Sequence, residues 1–453
     1  MSASTATDAE HGAVANDYPF SRVPRSQRYG WFSIAIQRFG QISALSQFLL
    51  GAALGFSLTF WESFWAITIG SVIIEVLCIF VGIIGVKEGL NTSLLTRWTG
   101  FGSGGSALIG LTIAISLIGW FGIQSGVSAA GLHGIMPGLP IWAWSVIFGL
   151  IVTAVVLLGF HGMQWVANLA VPSFLIVVGW AVVAELNRHD FGELVTGPPP
   201  QPGMTVVQGA TLVAGAFIAG ALITPDMSRF NRTPADVVKQ TVVGLTLGEY
   251  AVGLSGVLLA HAIKSADINA IIMSSVGWVG IVVIVMGTIK INDWNLYAGG
   301  LGFVNAINAI TGKKLSRPVM TGVVGVVGTG LAAAGILDLF TGFLTVLSAI
   351  FPPLIGIILA EYFFIKRWRP ELDATRESEQ MPPTSPTWVP ATLVVWAAAA
   401  AVAYFVPLGS SAINGVVLAF VLYFLAGKVN LLRPVGLTVT ESGSTAPAAA
   451  HDE

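Results

Sequence analysis

The sequence predicts an all-α membrane protein of twelve transmembrane helices, and three observations predict it. The first is composition: 54% of the 453 residues are hydrophobic and only 10% are charged, where a soluble domain carries about 25% charge. The second is a series of apolar stretches near 32–58, 65–87, 105–130, 140–160, 164–186, 206–226, 238–263, 274–303, 318–337, 339–366, 388–406 and 410–428. Each is close to or above the roughly 20 residues a helix needs to cross hydrocarbon. The third is the distribution of cations once both termini are set in the cytoplasm. Inner segments then hold seventeen Lys and Arg residues, outer loops hold only Arg188 and Lys264, and Arg38 and Lys290 fall inside spans. One miscounted helix would scramble that asymmetry.

The same counts exclude several classes. A net charge of -2 gives no electrostatic footing for nucleic acid. The single cysteine, Cys78, lies in an apolar run and supports neither a disulfide framework nor a cysteine metal site. Residues 1–20 are polar and lack an apolar h-region, so the first span is expected to act as its own insertion signal. No phosphate loop, zinc-hydrolase motif or convincing nucleophile elbow occurs. The reading is therefore of no enzyme, no catalytic residue, no metal and no cofactor. The organisation is 1–30 as a cytoplasmic segment, 31–187 as spans one to five, 206–366 as spans six to ten, 388–428 as spans eleven and twelve, and 434–453 as a disordered cytoplasmic tail. The expected place is the cytoplasmic membrane, with the bilayer and a small solute as partners and no obligate protein partner.

Taken in order, the first span is polar in its inner half, with Gln37, Arg38, Gly40, Gln41, Ser43, Ser46, Gln47 and Gly51. Glycine and amides within a span predict a broken helix whose backbone groups are free to bind. The second and seventh spans carry the isolated acids Glu75 and Glu249. Each is either a proton carrier, a partner for Arg38 or Lys290, or half of a structural pair. In the third span Trp120 and Gln124 stand four apart and share a face. Either the indole stacks on a flat ring while the amide pairs with its edge, or the two are an interfacial tryptophan and a helix-gluing glutamine. The sixth span, GAFIAGALITPD, is interrupted by Gly215, Gly220, Thr224 and Pro225. Broken first and sixth spans are what two inverted five-helix repeats produce. Glu62, His133, His161 and Glu361 read as ordinary residues at span ends.

The eighth span is the most informative. After the apolar run 276–286, GTIKINDWNLYAGGLGF places Lys290, Asn292, Asp293 and Asn295 within six residues. Insertion scales charge about 2.5–3.5 kcal/mol for a Lys or Asp at mid-depth, so these groups face protein or a wet cavity. At helical spacing Thr288, Asn292, Asn295 and Gly299 share one face, and Met286, Lys290, Asp293 and Tyr297 share nearly the opposite one. The first face suits an uncharged heterocycle and the second an ion or proton function. The alternative is that Lys290 and Asp293 neutralise each other while the amides bond to neighbouring helices.

Several motifs together resemble the nucleobase–cation symporter family, also called the purine/cytosine permease family. They are VPRSQRYG before the first span, GVKEGLNTSLLTRWTGFG after the second, GWFG in the third, GAFIAGALITPDMSRFNR in the sixth and NDWNLYAGGLGF in the eighth. The resemblance runs from Val23 to about Leu425 and is nearer to the cytosine-permease branch than to the hydantoin branch. It implies a LeuT-like fold of two inverted five-helix repeats plus two further helices. It also implies a substrate site midway across, between the broken first and sixth helices and the third and eighth. In that site Trp120 matches the ring-stacking tryptophan, Gln124 a substrate-binding glutamine, Phe217 the aromatic residue of the sixth helix, and Asn292 a substrate-side asparagine. Gly40 and Ala44 match positions whose backbone carbonyls help hold sodium.

The departures from the family pattern are informative too. Ala216 and Ala219 stand where cytosine permeases have small hydroxyl residues, and Leu117 replaces a glutamine. Gly287, Lys290 and Ile291 stand where sodium-coupled relatives place oxygen ligands. The reading is that the Lys290 ammonium substitutes for sodium, bracing the first helix against the eighth, with Asp293 as its partner in coupling. The expected function is secondary active import of a nucleobase-like ring by alternating access, coupled to protons and independent of sodium. The alternatives are a sodium-coupled symporter of a hydantoin, allantoin or pyrimidine vitamin precursor, an amino acid transporter on the same fold, and, from another class, a membrane channel or membrane-embedded enzyme.

Overall fold

Hydropathy places the helices, and local chemistry sets their ends. The structure is a computed structural model that describes residue 18 and residues 21–43, 45–157, 160–311, 313, 315–406 and 409–439, apart from the side chains of 160–171, 305, 308–310 and 317. Six spans, Phe60–Glu88 and Gly102–Ile135 among them, are long and apolar enough to cross a bilayer as single helices, and the bent pair Trp31–Ile42 and Leu45–Ser57 makes another. Ile141–Leu157, Pro172–Leu186, Val206–Leu222, Pro318–Ala333 and Pro390–Phe405 are shorter apolar helices in the remaining expected places. Among the described residues the protein is thus a multi-pass helical membrane protein, with apolar helices at the twelve expected places.

Span boundaries follow side-chain caps. Thr59 opens the second span by accepting from the Glu62 N–H, while the Glu62 carboxylate accepts from the Thr59 N–H at 3.0 Å. Glu62, read as merely solvated, is therefore half of a capping box. Thr205 with Gln208 and Thr233 with Asp236 open the sixth and seventh spans in the same way. Gly335, at φ +84°, ends the ninth span in the left-handed region that a Cβ disfavours.

Several spans are irregular, the tenth among them, which ends in a π-turn at Ala360–Ile365. The first breaks after Ile42, where Ser43 leaves the helix with ψ 59°. The sixth breaks at Ile223, between Val206–Leu222 and Thr224–Ser228. Pro225 restarts that helix from a position where its missing N–H is not needed. The seventh contains a π-turn at Glu249–Gly253, between Pro234–Gly248 and Leu254–Ile263.

The first, second, sixth and seventh spans pack as one group, and the third, fourth, eighth and ninth as another. The fifth span packs on the eighth and the seventh, and the tenth joins the sixth to the eleventh and twelfth. Where the first and seventh spans cross, backbones touch. A Cβ built on Gly51 would lie 2.1 Å from the Gly253 carbonyl oxygen, and one on Gly55 would lie 2.7 Å from the Val257 backbone. This is the small-residue contact that replaces a hydrophobic driving force in lipid.

On the side where the chain enters the first span, the buried Glu88 carboxylate ends the second span. It accepts from Arg22 at 3.0 Å, from Arg376 at 2.5 Å and from the Tyr362 hydroxyl at 2.5 Å. Burial pushes the Arg22 guanidinium below its ordinary value, and the hydrogen bond to Glu88 opposes that shift. The same side carries a two-stranded antiparallel sheet that hydropathy gave no reason to expect. Its strands are β1 (Thr384–Trp388) and β2 (Val435–Val439), with Trp388 opposite Val435 and Thr384 opposite Val439. The expectation of a disordered tail from 434 is corrected over 435–439, where a partner strand takes up the backbone. Residues 440–453 lie outside the described residues.

Gly51→Val should fail to give a monodisperse folded protein, or should lower its unfolding temperature in detergent by the equivalent of about 3 kcal/mol or more, because backbone must move to admit the side chain. Gly110→Ala, at a position with nothing within 4 Å of the added Cβ, should be nearly neutral in the same thermal scan.

Candidate functional site

The polar stripe of the eighth span, Trp278–Thr311, faces the third span. Asn292 Nδ2 donates to the Phe121 carbonyl at 3.1 Å and to Ser125 Oγ at 3.0 Å. Asn295 Nδ2 donates to Asn292 Oδ1 at 3.1 Å. Thr288 bonds back to the Ile284 carbonyl of its own helix at 2.7 Å. The amides therefore join two helices, and both donor hydrogens of Asn292 have partners. Helical spacing had identified the face but not its neighbour.

Lys290 and Asp293 meet each other. Nζ lies 3.2 and 3.3 Å from the two carboxylate oxygens. Asp293 is fully buried, whereas the Lys290 side chain keeps 26% of its surface exposed. The hydrogen bonds found for Lys290 stay within its own helix, so in this conformation the expected brace to the first helix is not made. Asp293 has a counter-charge one turn away, and part of the Lys290 side chain remains exposed.

On the third span, Trp120 and Gln124 share a face as their spacing requires. Trp120, 8% exposed, sits edge-on to Phe340 and Phe343 of the tenth span, with ring centroids at 6.2 and 5.3 Å. Those two phenylalanines, three apart, were visible in the sequence only as ordinary apolar residues. Gln124 is 3% exposed, and its Oε1 is buried without a hydrogen-bond partner among the described residues. Buried polar atoms are rarely left so, and an edge donor of a bound ring would complete this one.

The broken helices supply the remaining candidates. Phe217, Ala216 and Ala219 are half-buried on the sixth span. A Cβ on Gly215 would lie 2.5 Å from the Leu344 carbonyl oxygen, so the tenth span touches both this helix and Trp120. Phe217 faces the Arg38 guanidinium, whose carbon lies 5.9 Å from the ring centroid. Gly40 is exposed with open space around it, and Ala44 lies outside the described residues. The two isolated acids pair with neither Arg38 nor Lys290. Glu75 accepts from Thr246 at 2.6 Å, and Ser71 donates to Glu249 at the π-turn. The second and seventh spans are thus linked through hydroxyl groups, which sequence patterning could not assign.

Asn292→Ala should leave Ser125 without its partner and loosen the third span from the eighth. The expected cost is about 1–3 kcal/mol, read as a lower unfolding temperature. An unchanged temperature would mean that the bridge contributes nothing.

Comparison with known proteins gives the family and the fold. Residues 22–430 match a family model described as permease for cytosine/purines, uracil, thiamine and allantoin. The cytosine permease of Escherichia coli (strain K12) is 31% identical over 363 residues, covering 80% of this chain and 84% of that protein. The hydantoin permease of Microbacterium maritypicum is 26% identical over 408 residues, covering 83% and 80%. Among solved structures, the inward-facing conformation of Mhp1 superposes with a TM-score of 0.75 at 21% identity, over 92% of this chain and 97% of that one. A substrate-bound Na+-coupled sialic acid symporter follows with a TM-score of 0.63 at 11% identity, over 92% of each chain. These likenesses establish the fold as the LeuT-like one expected.

Proposed function

From the premise that the chain belongs to the permease family for cytosine/purines, uracil, thiamine and allantoin, and so is a transporter and not an enzyme, we propose that it imports a planar nucleobase-like heterocycle by proton-coupled, sodium-independent alternating access. The observation that carries this reading is the Trp120–Gln124 pair, an indole beside a buried amide oxygen that lacks a partner. Trp120 stacks on the ring, Phe217 closes on it from the sixth span, and Gln124 accepts from its edge. Ala216 and Ala219 leave that side of the ring without hydroxyl contacts. Asn292, whose donors already hold the third span, acts by positioning Gln124 rather than by reading the ring. The protein lies in the cytoplasmic membrane with both termini inside.

For coupling, what supports the proton is the chemistry at the eighth-span positions. Gly287 and Ile291 bring no side-chain oxygen, and Lys290 brings an ammonium that would repel a metal cation. The Lys290–Asp293 pair can instead take up and release a proton, since neutralising either partner alters the field on the other. Gly40 lies just before the first-helix break, and Ala44 lies outside the described residues.

Full-length protein in proteoliposomes tests this with radiolabelled cytosine, uracil, hypoxanthine and a hydantoin. Accumulation should persist in sodium-free buffer under an inward proton gradient and collapse with a protonophore; a requirement for sodium at constant pH gradient would overturn the coupling assignment. Trp120→Ala should weaken binding about 5- to 150-fold, the range that about 1–3 kcal/mol of base stacking spans; unchanged affinity would remove the stacking role. Lys290→Ala should keep binding within a few-fold yet lose concentrative uptake, and a variant that still concentrates substrate would end the coupling role.

A further inference from the structure

Arg38 is fully buried, and no carboxylate pairs with it among the described residues. Its stem is wedged against the seventh span, where a Cβ on Gly244 would lie 2.8 Å from both Arg38 Cβ and Cγ. Its head reaches the two helix breaks. Nη2 lies 3.3 Å from Thr224 Oγ1, just past the sixth-span break, and Nη1 lies 3.4 Å from Gln41 Oε1, just before the first-span break. Nε has no partner. A guanidinium carries five donors in a rigid fork, and here two of its nitrogens make only long contacts to neutral oxygens.

The acids on facing elements are committed elsewhere. Glu75 and Glu249 bond to Thr246 and Ser71, and Asp226 accepts from the Thr92 N–H at 2.7 Å. By contrast Arg22, also buried, is given Glu88. A desolvated cation without a counter-charge is costly, so an unpaired one held between two broken helices, against the ring of Phe217, lacks an anion that arrives from outside the chain. Planar fork recognition suits two oxygens sharing a negative charge.

We propose that Arg38 is a substrate-binding residue, and that the heterocycle carried is acidic, presenting a carboxylate or ionised ring oxygen to this guanidinium. The inference rests on the heterocycle-transporter reading and narrows its substrate class. Ring and charge divide between two parts of the site: Trp120 and Phe217 hold the plane, and Arg38, with the Thr224 hydroxyl beside it, holds the anionic edge.

The test compares matched acidic and neutral rings on purified full-length protein: uracil-6-carboxylate against uracil, and urate against hypoxanthine. Wild type should bind the acidic member of each pair at least tenfold more tightly. Arg38→Met, similar in length and uncharged, should bring that ratio to one or below while retaining uracil binding, and Arg38→Lys should keep an intermediate ratio. A purely structural brace would weaken acidic and neutral ligands alike and leave the ratio unchanged, which would overturn the proposal, as would a wild-type preference for the neutral rings. The selectivity of the wild type decides the matter even if Arg38→Met does not fold. Uracil binding that needs chloride, and loses that need in Arg38→Met, would assign the site to a free halide instead and likewise overturn it. If folded wild type binds none of the four rings, the heterocycle reading itself fails; if it binds uracil and hypoxanthine as well as their acidic partners, only the Arg38 assignment does.

Discussion

Hydrocarbon offers no hydrogen bonds, so a helix broken inside a membrane must find all its replacements within the protein. The breaks after Ile42 and at Ile223 impose that requirement on everything around them. The second and seventh spans close around these breaks, and the tenth reaches the sixth from another side. The glycine contact at Gly51 and Gly253 brings the seventh span near enough to shield the first. The same enclosure that protects the backbone also surrounds polar groups that would be expensive facing lipid.

The enclosure is assembled from two seams. One joins the third and eighth spans through Asn292, Asn295 and Ser125. The other joins the first and sixth through Arg38 and Thr224. The tenth span touches both, with Phe340 and Phe343 on Trp120 and the Leu344 backbone against Gly215. Movement of either seam relative to the other would therefore be felt at the tenth span, which makes it a natural pivot between the two helix groups. The site is built from contacts between spans distant in sequence, so no short stretch of chain could form it alone.

Much of the fold was legible because it depends on one-dimensional properties. Hydropathy located the spans, cation bias fixed their number, and glycine with proline marked the broken ones. What could not be read is whatever depends on which neighbour a helix face meets. The Asn292 face was evident from spacing, but its commitment to Phe121 and Ser125 required the third span to be in place. Lys290 pairs with Asp293 three residues away, an alternative its spacing had left open, rather than with the first helix, because a partner on the same turn costs less ordering than one across a gap. For Glu75 and Glu249 the sequence left a proton carrier, a cation partner and a structural pair open, and in the structure they bond to hydroxyl groups. Arg38 stood out only as a charge in an apolar stretch; that it lacks a counter-charge is a fact about every surrounding side chain at once. The strand at Val435–Val439 escaped notice because five residues beside a loop carry too little pattern to announce pairing.

That strand has a consequence for how the molecule is made. Pairing β1 with β2 ties the stretch before the eleventh span to the stretch after the twelfth, while β1 also lies against the start of the third span, where Trp388 crosses Gly104. The clasp cannot form until synthesis has passed Val439 and the last two helices have been inserted. The Ser103 hydroxyl at the start of the third span must therefore wait for Thr438, in nearly the last part of the chain, to arrive. A chain halted before Val435 would keep Trp388 over Gly104 but leave β1 without its partner strand and Ser103 without Thr438, so the clasp at the base of the third span would stay half-made.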